Sequence, residues 1–125
     1  MILGPLVGVS LIVAAAIDNG VSSSPDVAAM SPQQKITLMR PLVRSATDCV
    51  VRMVAADPRF HTLVRTGDLG DLIVDSMSAC ADAMRAMIDA HDRLYGEGSG
   101  ETFFTGPYLD ILPAAVFKSV KEITE

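Results

Sequence analysis

Two stretches of the sequence repeat apolar residues at the helical period of 3.6, and this pattern limits the fold more than any other feature. The first stretch carries Ile36, Met39, Leu42, Val43, Ala46, Val50, Met53 and Val54; the second carries Leu69, Ile73, Met77, Cys80, Met84, Met87, Ile88, His91, Leu94 and Tyr95. At 100° per residue, each set lies within about 60° of one line along a helix surface. No stretch alternates apolar and polar residues for long enough to favour a sheet. The sequence predicts an all-α fold, a bundle of three to four helices with two long amphipathic helices and short additional ones.

The residues at the ends of the first stretch are typical of helix boundaries. Ser31, Pro32 and Gln34 form a capping-box pattern with proline at the first helical position. Pro41 interrupts the helix, and because the apolar stripe keeps its phase across it, we expect a kink there and not a restart. Asp57 precedes a proline and should end the helix.

The second stretch predicts one long helix, with Asp68 as its N-cap and Gly96 as its stop. Residues 96–100 read as a loop. In the tail, Pro107 and Pro113 suit the first turns of one or two short helices. Six tail residues would close the core: Phe104, Tyr108, Leu109, Leu112, Val116 and Val120.

Residues 2–17 contain no charged side chain, and twelve of these sixteen residues are apolar. The run is short for a membrane span, and Ala14 to Ala16 offer a peptidase site. We therefore expect a signal peptide over 1–16, a flexible linker over 17–30 and a helical domain over 31–125. No Lys or Arg precedes the run, so a buried core element or a membrane anchor stays open as an alternative.

The two cysteines lie one on each long amphipathic segment. Helices joined by about a dozen residues usually pack antiparallel, and the depths of Cys49 and Cys80 then differ by roughly 7 Å, which a short connecting helix can absorb. If the chain is exported it meets an oxidising environment, and a disulfide between them is expected. The alternative is a pair of buried free thiols.

The charge balance excludes some classes of partner. The chain contains ten Lys and Arg residues and fifteen Asp and Glu residues, which gives a net charge of −5. A nucleic-acid-binding protein needs a basic face to displace counterions from phosphate, so we expect no nucleic acid as partner. We also expect no stable membrane insertion after removal of the leader.

One face of the second stretch carries soft metal ligands. Met84, Met87 and His91 follow each other at helical spacing and could hold Cu(I) in an exported protein. The alternative, that methionines fill the core and His91 is an ordinary core histidine, is favoured, and we expect no cofactor.

The aromatic residues concentrate near Gly106. Phe103, Phe104 and Tyr108 either lock the tail onto the bundle or form a partner-binding patch, since aromatic residues are frequent at interfaces.

These patterns predict a small periplasmic or secreted helical protein with a non-catalytic binding or structural role. Its partner would be another protein, not identified by any motif, or a second copy of the chain. Two alternatives stay open: a copper carrier using the Met and His face, and a small enzyme with a site near His61 or His91.

Overall fold

The computed structural model describes residues 27–124, so the predicted signal peptide and most of the predicted linker lie outside the described residues. The chain divides between Met30 and Ser31 into two units. In the first unit, the described part is a 3₁₀ helix, Val27–Ala29, and the amide of Met30 donates to the carbonyl of Val27 at 3.1 Å.

The second unit is all helical over its described residues, which confirms the predicted fold class. Its elements are α1 (Pro32–Ala56), α2 (Phe60–Thr66), α3 (Gly70–Ser76), α4 (Ala81–Tyr95), α5 (Ser99–Phe103), a π-helical segment (Phe104–Tyr108) and α6 (Leu109–Thr124). None of the described helices combines the length and apolar character needed to cross a membrane.

Helix α1 begins and ends where its sequence predicts. The amide of Gln34 donates to Ser31 Oγ at 3.1 Å, and the Ser31 amide donates to Gln34 Oε1 at 2.7 Å, which completes the capping box. The helix continues through Pro41, whose ring is exposed. The hydrogen bond that proline removes would have ended on the carbonyl of Thr37, an exposed residue, where water can replace it.

Helix α1 is also the central element of the unit, because it packs against α2, α3, α4 and α6. Ala46, Val50 and Val54 are fully buried on it, as the apolar stripe predicts. Val51 is buried as well, although it lies beside that stripe. A helix with neighbours on several sides buries more than one stripe.

The single long helix predicted for the second stretch is wrong, because the chain breaks at residues 77–80 into α3 and α4. Within the break the Cys80 amide donates to the carbonyls of Ser76 and Met77, at 3.1 and 3.2 Å. Buried Ser76 also uses its hydroxyl, which donates to the carbonyl of Ile73 at 2.6 Å and competes with the backbone bonds of a continuing helix. The predicted cap is wrong too, since α3 starts at Gly70 and no side chain caps it.

A disulfide joins Cys49 of α1 to Cys80, which immediately precedes α4. The two Cα atoms are 5.9 Å apart, and Cys80 is 1% exposed. The predicted pairing is confirmed. The cross-link ties the start of α4 to the middle of the central helix.

The tail differs from the prediction because the helical conformation runs without interruption from Ser99 to Thr124. Pro107 lies inside the π-helical segment and Pro113 inside α6, neither at a helix start. Pro107 has no amide hydrogen to donate, and the amide of Leu109 instead reaches back to the carbonyl of Phe104, a π-type bond. The predicted core residues Tyr108, Leu112, Val116 and Val120 are buried as expected, whereas Phe104 and Leu109 are half-buried.

Gly100 fixes the distance between α4 and α5. A Cβ atom at this position would collide with the carbonyl oxygen of Ile88 on α4. The Gly100 amide donates to Asp92 Oδ1 at 2.7 Å, so the same residue both permits the close approach and anchors it. The sequence prediction of a loop through residue 100 missed this contact.

Removing the disulfide should destabilise the fold strongly. The cross-linked residues are 31 apart in sequence, and closing a loop of that size restricts the unfolded chain enough to contribute about 3–4 kcal/mol. We expect the double variant Cys49→Ala/Cys80→Ala to lose about that much free energy of unfolding in urea denaturation. Reductant should lower the stability of the native protein equally and leave the variant unchanged; a variant as stable as the oxidised protein would contradict the role given to the disulfide.

Adding a methyl group at Gly100 should separate α5 from α4. We expect Gly100→Ala to lower the free energy of unfolding by about 1–3 kcal/mol, since backbone must move to relieve the contact. Gly106→Ala is the matched control, because a Cβ there meets no atom within 4 Å. Equal stability of the two variants, measured by urea denaturation, would show that the α4–α5 contact is not a constraint.

Candidate ligand-binding groove

A groove of about 480 Å³ lies between α1 on one side and α4 and α5 on the other. We call it the aromatic groove. It is lined by Ile36, Met39, Arg40, Val43, Arg44, Thr47, Asp48, His91, Tyr95 and Phe103. Its volume falls in the range of small-molecule sites, and its lining combines apolar surface with a few polar groups as such sites do.

One wall of the aromatic groove consists of three neighbouring rings. His91 and Tyr95 are one turn apart on α4, with ring centroids 4.4 Å apart. Phe103, at the end of α5, stacks on His91 at 4.7 Å. The ammonium of Lys35 on α1 lies 5.3 Å from the centre of the Tyr95 ring. The wall therefore depends on the close α4–α5 approach at Gly100.

The α1 side of the groove is aliphatic and ends at a polar pair. Met39 is buried, and Val43 and Ile36 expose surface to the groove. The Thr47 hydroxyl donates to the carbonyl of Val43 at 2.9 Å, so the Tyr108 hydroxyl, 3.0 Å away, donates to Thr47 Oγ1. Burial raises the pKa of the Tyr108 phenol above its ordinary value, although the bond to Thr47 opposes this.

Two exposed arginines stand on the rim of the groove. Arg40 and Arg44 are one turn apart on α1, and within residues 27–124 neither forms an ion pair. Arg59, by contrast, binds two carboxylates, those of Asp57 and Asp75. Helix α1 carries four basic residues and one acidic residue, Asp48, in a chain whose net charge is −5. The rim is therefore locally basic on an acidic protein.

His91 links the two helices that form the aromatic wall. Its ring Nδ1 lies 2.8 Å from Ser99 Oγ, and that hydroxyl also lies 3.2 Å from the His91 carbonyl, to which it donates. The hydroxyl has one hydrogen, so the ring donates from Nδ1 to Ser99 Oγ. Burial lowers the pKa of the His91 imidazole below its ordinary value, and the charge of Asp92 opposes the shift.

The pair of Ser99 and His91 is not arranged as a nucleophile with its base. Ser99 does not line the aromatic groove, and its proton is held by a backbone carbonyl. No carboxylate in the described chain hydrogen-bonds the His91 ring, because Asp92 accepts the Gly100 amide instead. Asp48 lines the same groove, and no hydrogen bond joins it to His91. The other histidine, His61, is exposed beside Phe60.

The predicted copper ligands are divided between the core and the groove. Met84 and Met87 are buried, and neither lines the aromatic groove, whereas His91 does. No cluster of three or more His, Cys, Asp or Glu side chains suited to a metal occurs among the described residues. The copper site stays a prediction.

The predicted partner patch is divided as well. Phe103 lines the aromatic groove, while Phe104 lines a second, apolar groove of about 440 Å³ between α3 and α6. Tyr108 is buried at 1% exposure, where a partner cannot reach it. Binding of a protein partner or of a second copy stays a prediction.

Sequence reasoning missed Arg40, Arg44 and Tyr95 as candidate site residues. The helical period places the two arginines on the side of α1 opposite its apolar stripe, which is typical of a solvated face, and it places Tyr95 at the end of a core stripe. The one available signal was the concentration of basic residues on a single helix of an acidic chain.

No protein-family model, curated protein or solved structure matches this chain. The geometry of the aromatic groove is therefore the basis for the function proposed below.

The depressed pKa of His91 should make stability depend on pH. The folded state holds this imidazole neutral, so the unfolded state binds more protons just below the unfolded pKa of 6.5. The stability that the neutral imidazole contributes is present above that unfolded-state pKa. It is lost as the pH falls towards the pKa of His91 in the folded protein. We expect the free energy of unfolding to fall between about pH 7.5 and pH 5.5, measured by urea denaturation at each pH. His91→Gln should reduce this dependence and His61→Gln should keep it; the reverse outcome would contradict the burial of His91.

Proposed function

We propose that the protein is a periplasmic or secreted, non-catalytic binding protein, and that the aromatic groove is its ligand site. The observation that carries the proposal is the combination of a groove of about 480 Å³, a three-ring wall and two rim arginines that form no ion pair within residues 27–124. Preformed small-molecule sites have this composition.

Exposed apolar surface at the groove supports binding. Ile36 is 50% exposed and Tyr95 is 43% exposed, and both line the groove. Apolar surface costs free energy in water, about 25 cal/mol for each Å². A ligand that covers these side chains recovers that free energy, which gives the groove an affinity for apolar groups.

The π-helical segment also supports a functional role for this region. It begins directly after Phe103 of the wall and ends at Tyr108, which holds the groove residue Thr47. Single π turns inside helices are frequent at functional sites, where they redirect side chains. Here the segment orients residues on both sides of the groove.

Two features support export. The Cys49–Cys80 disulfide is typical of proteins in oxidising compartments. The apolar run from residue 2 to residue 17, with the small residues Ala14 to Ala16 near its end, has the composition of a secretory leader.

The arrangement of His91 favours binding over catalysis. A general base has to reach both its orienting group and the substrate. Among the described residues, the His91 Nδ1 atom donates to the uncharged hydroxyl of Ser99, and no carboxylate contacts the ring to stabilise its protonated form.

The proposal is tested with N-phenyl-1-naphthylamine, an uncharged probe that fluoresces in apolar sites. We expect the native protein to bind it saturably. Val43→Phe should fill the groove and weaken binding by about tenfold, a loss of about 1.4 kcal/mol. Met53→Phe makes the same kind of change on the same helix but outside the groove, and should bind like the native protein.

Tyr95→Ala provides a second variant, because Tyr95 is exposed and its removal leaves the core intact. It should also weaken probe binding. Circular dichroism of each variant confirms that it is folded. Absence of saturable binding to the native protein, or equal binding by Val43→Phe and Met53→Phe, would refute the aromatic groove as the ligand site.

A further inference from the structure

We propose that the ligand of the aromatic groove is a free amphiphile with a single apolar chain and a carboxylate head, of the long-chain fatty acid class. This inference rests on the proposed function, because it assigns a ligand class to the same site. The head would lie between Arg40 and Arg44, and the chain would lie along the floor of the groove.

The rim arginines supply the anion specificity. A guanidinium matches the two oxygens of a carboxylate, and two such groups one turn apart can share one head group. Neither Arg40 nor Arg44 is neutralised by an ion pair in the described chain, in contrast to Arg59 and Arg85. Their charge is therefore available to a ligand.

The position of Asp48 sets the direction of the ligand. It lines the same groove one turn beyond Arg44, and its carboxylate repels an anion placed there. The head group is therefore favoured between Arg40 and Arg44, away from Asp48. Salt screens the acidic groups elsewhere on the chain over about 8 Å, so the charges on the rim determine where an anionic head group binds.

The shape of the groove suits a single chain. Its α1 lining runs from Ile36 to Asp48, twelve residues of helix or roughly 18 Å. Ile36, Met39 and Val43 supply an aliphatic floor, and Phe103 closes the opposite side. An apolar floor beside a basic rim matches the apolar chain and the anionic head of a fatty acid.

A free amphiphile is favoured over an anionic membrane as the source of the head group. The groove volume of about 480 Å³ is that of a site enclosing one small ligand. A membrane would meet the whole protein surface, and the net charge of −5 opposes docking on anionic lipid.

The test displaces bound N-phenyl-1-naphthylamine with three ligands of equal chain length: decanoate, decanol and decyltrimethylammonium. The two ionic ligands are kept below their micelle concentrations and decanol below its solubility limit. We expect decanoate to bind about five- to tenfold more tightly than decanol, and the cationic ligand to bind most weakly. The preference for decanoate should shrink at high salt.

Charge-removing variants assign the preference to the rim. Arg40→Gln/Arg44→Gln should lose the five- to tenfold preference for decanoate while keeping probe and decanol binding. Arg52→Gln is the matched control: it lies on the same helix, outside the groove, and should keep the preference.

Each outcome separates the two proposals. If the probe binds but decanoate and decanol bind equally, or the cation binds best, the ligand class is wrong and the binding site stands. If neither the probe nor decanoate binds, measured for decanoate by calorimetry, the proposed function is wrong. Binding to vesicles of anionic phospholipid without binding of monomeric decanoate would overturn the free amphiphile in favour of a membrane. Retention of the decanoate preference by the double variant would also overturn the assignment.

Discussion

The position of α1 in the middle of the unit is the constraint on which the rest of the structure depends. Ala46, Val50 and Val54 exclude water from one side of it, and Val51 extends the buried surface towards a further neighbour. The disulfide at Cys49 then ties the start of α4 to this same helix. Because α1 buries one face over residues 46–54 and exposes Arg40 and Arg44 on another, it contributes both core residues and groove-lining residues.

The aromatic groove follows from two local deviations from regular helix geometry. Gly100 lets α5 approach the backbone of α4, which places Phe103 on His91. The π-helical segment after it then turns Tyr108 inward, where its hydroxyl holds Thr47 of α1. A side chain at residue 100 would separate the rings, so the shape of the groove depends on one glycine that does not itself line it.

The sequence predicted the fold class, the capping box at Ser31, the end of α1 and the pairing of Cys49 with Cys80. Each of these depends on local geometry or on periodicity, which a sequence displays directly. It failed at residues 77–80 because the apolar stripe keeps its phase through the break, while the hydroxyl of Ser76 and the backbone turn do not follow from periodicity. It failed at residue 100 for a related reason. A glycine required by close packing and a glycine required by a turn look alike in a sequence.

The sequence by itself determined that this chain forms amphipathic helices, that two apolar-striped segments carry one cysteine each, and that its net charge is negative. Only the tertiary structure decided that Arg40 and Arg44 of α1 line a groove with aromatic residues from α4 and α5. Periodicity states which side of a helix is buried, and it does not state which neighbour covers that side. The aromatic groove combines residues more than forty positions apart, such as Val43 and His91, and packing alone brings them together.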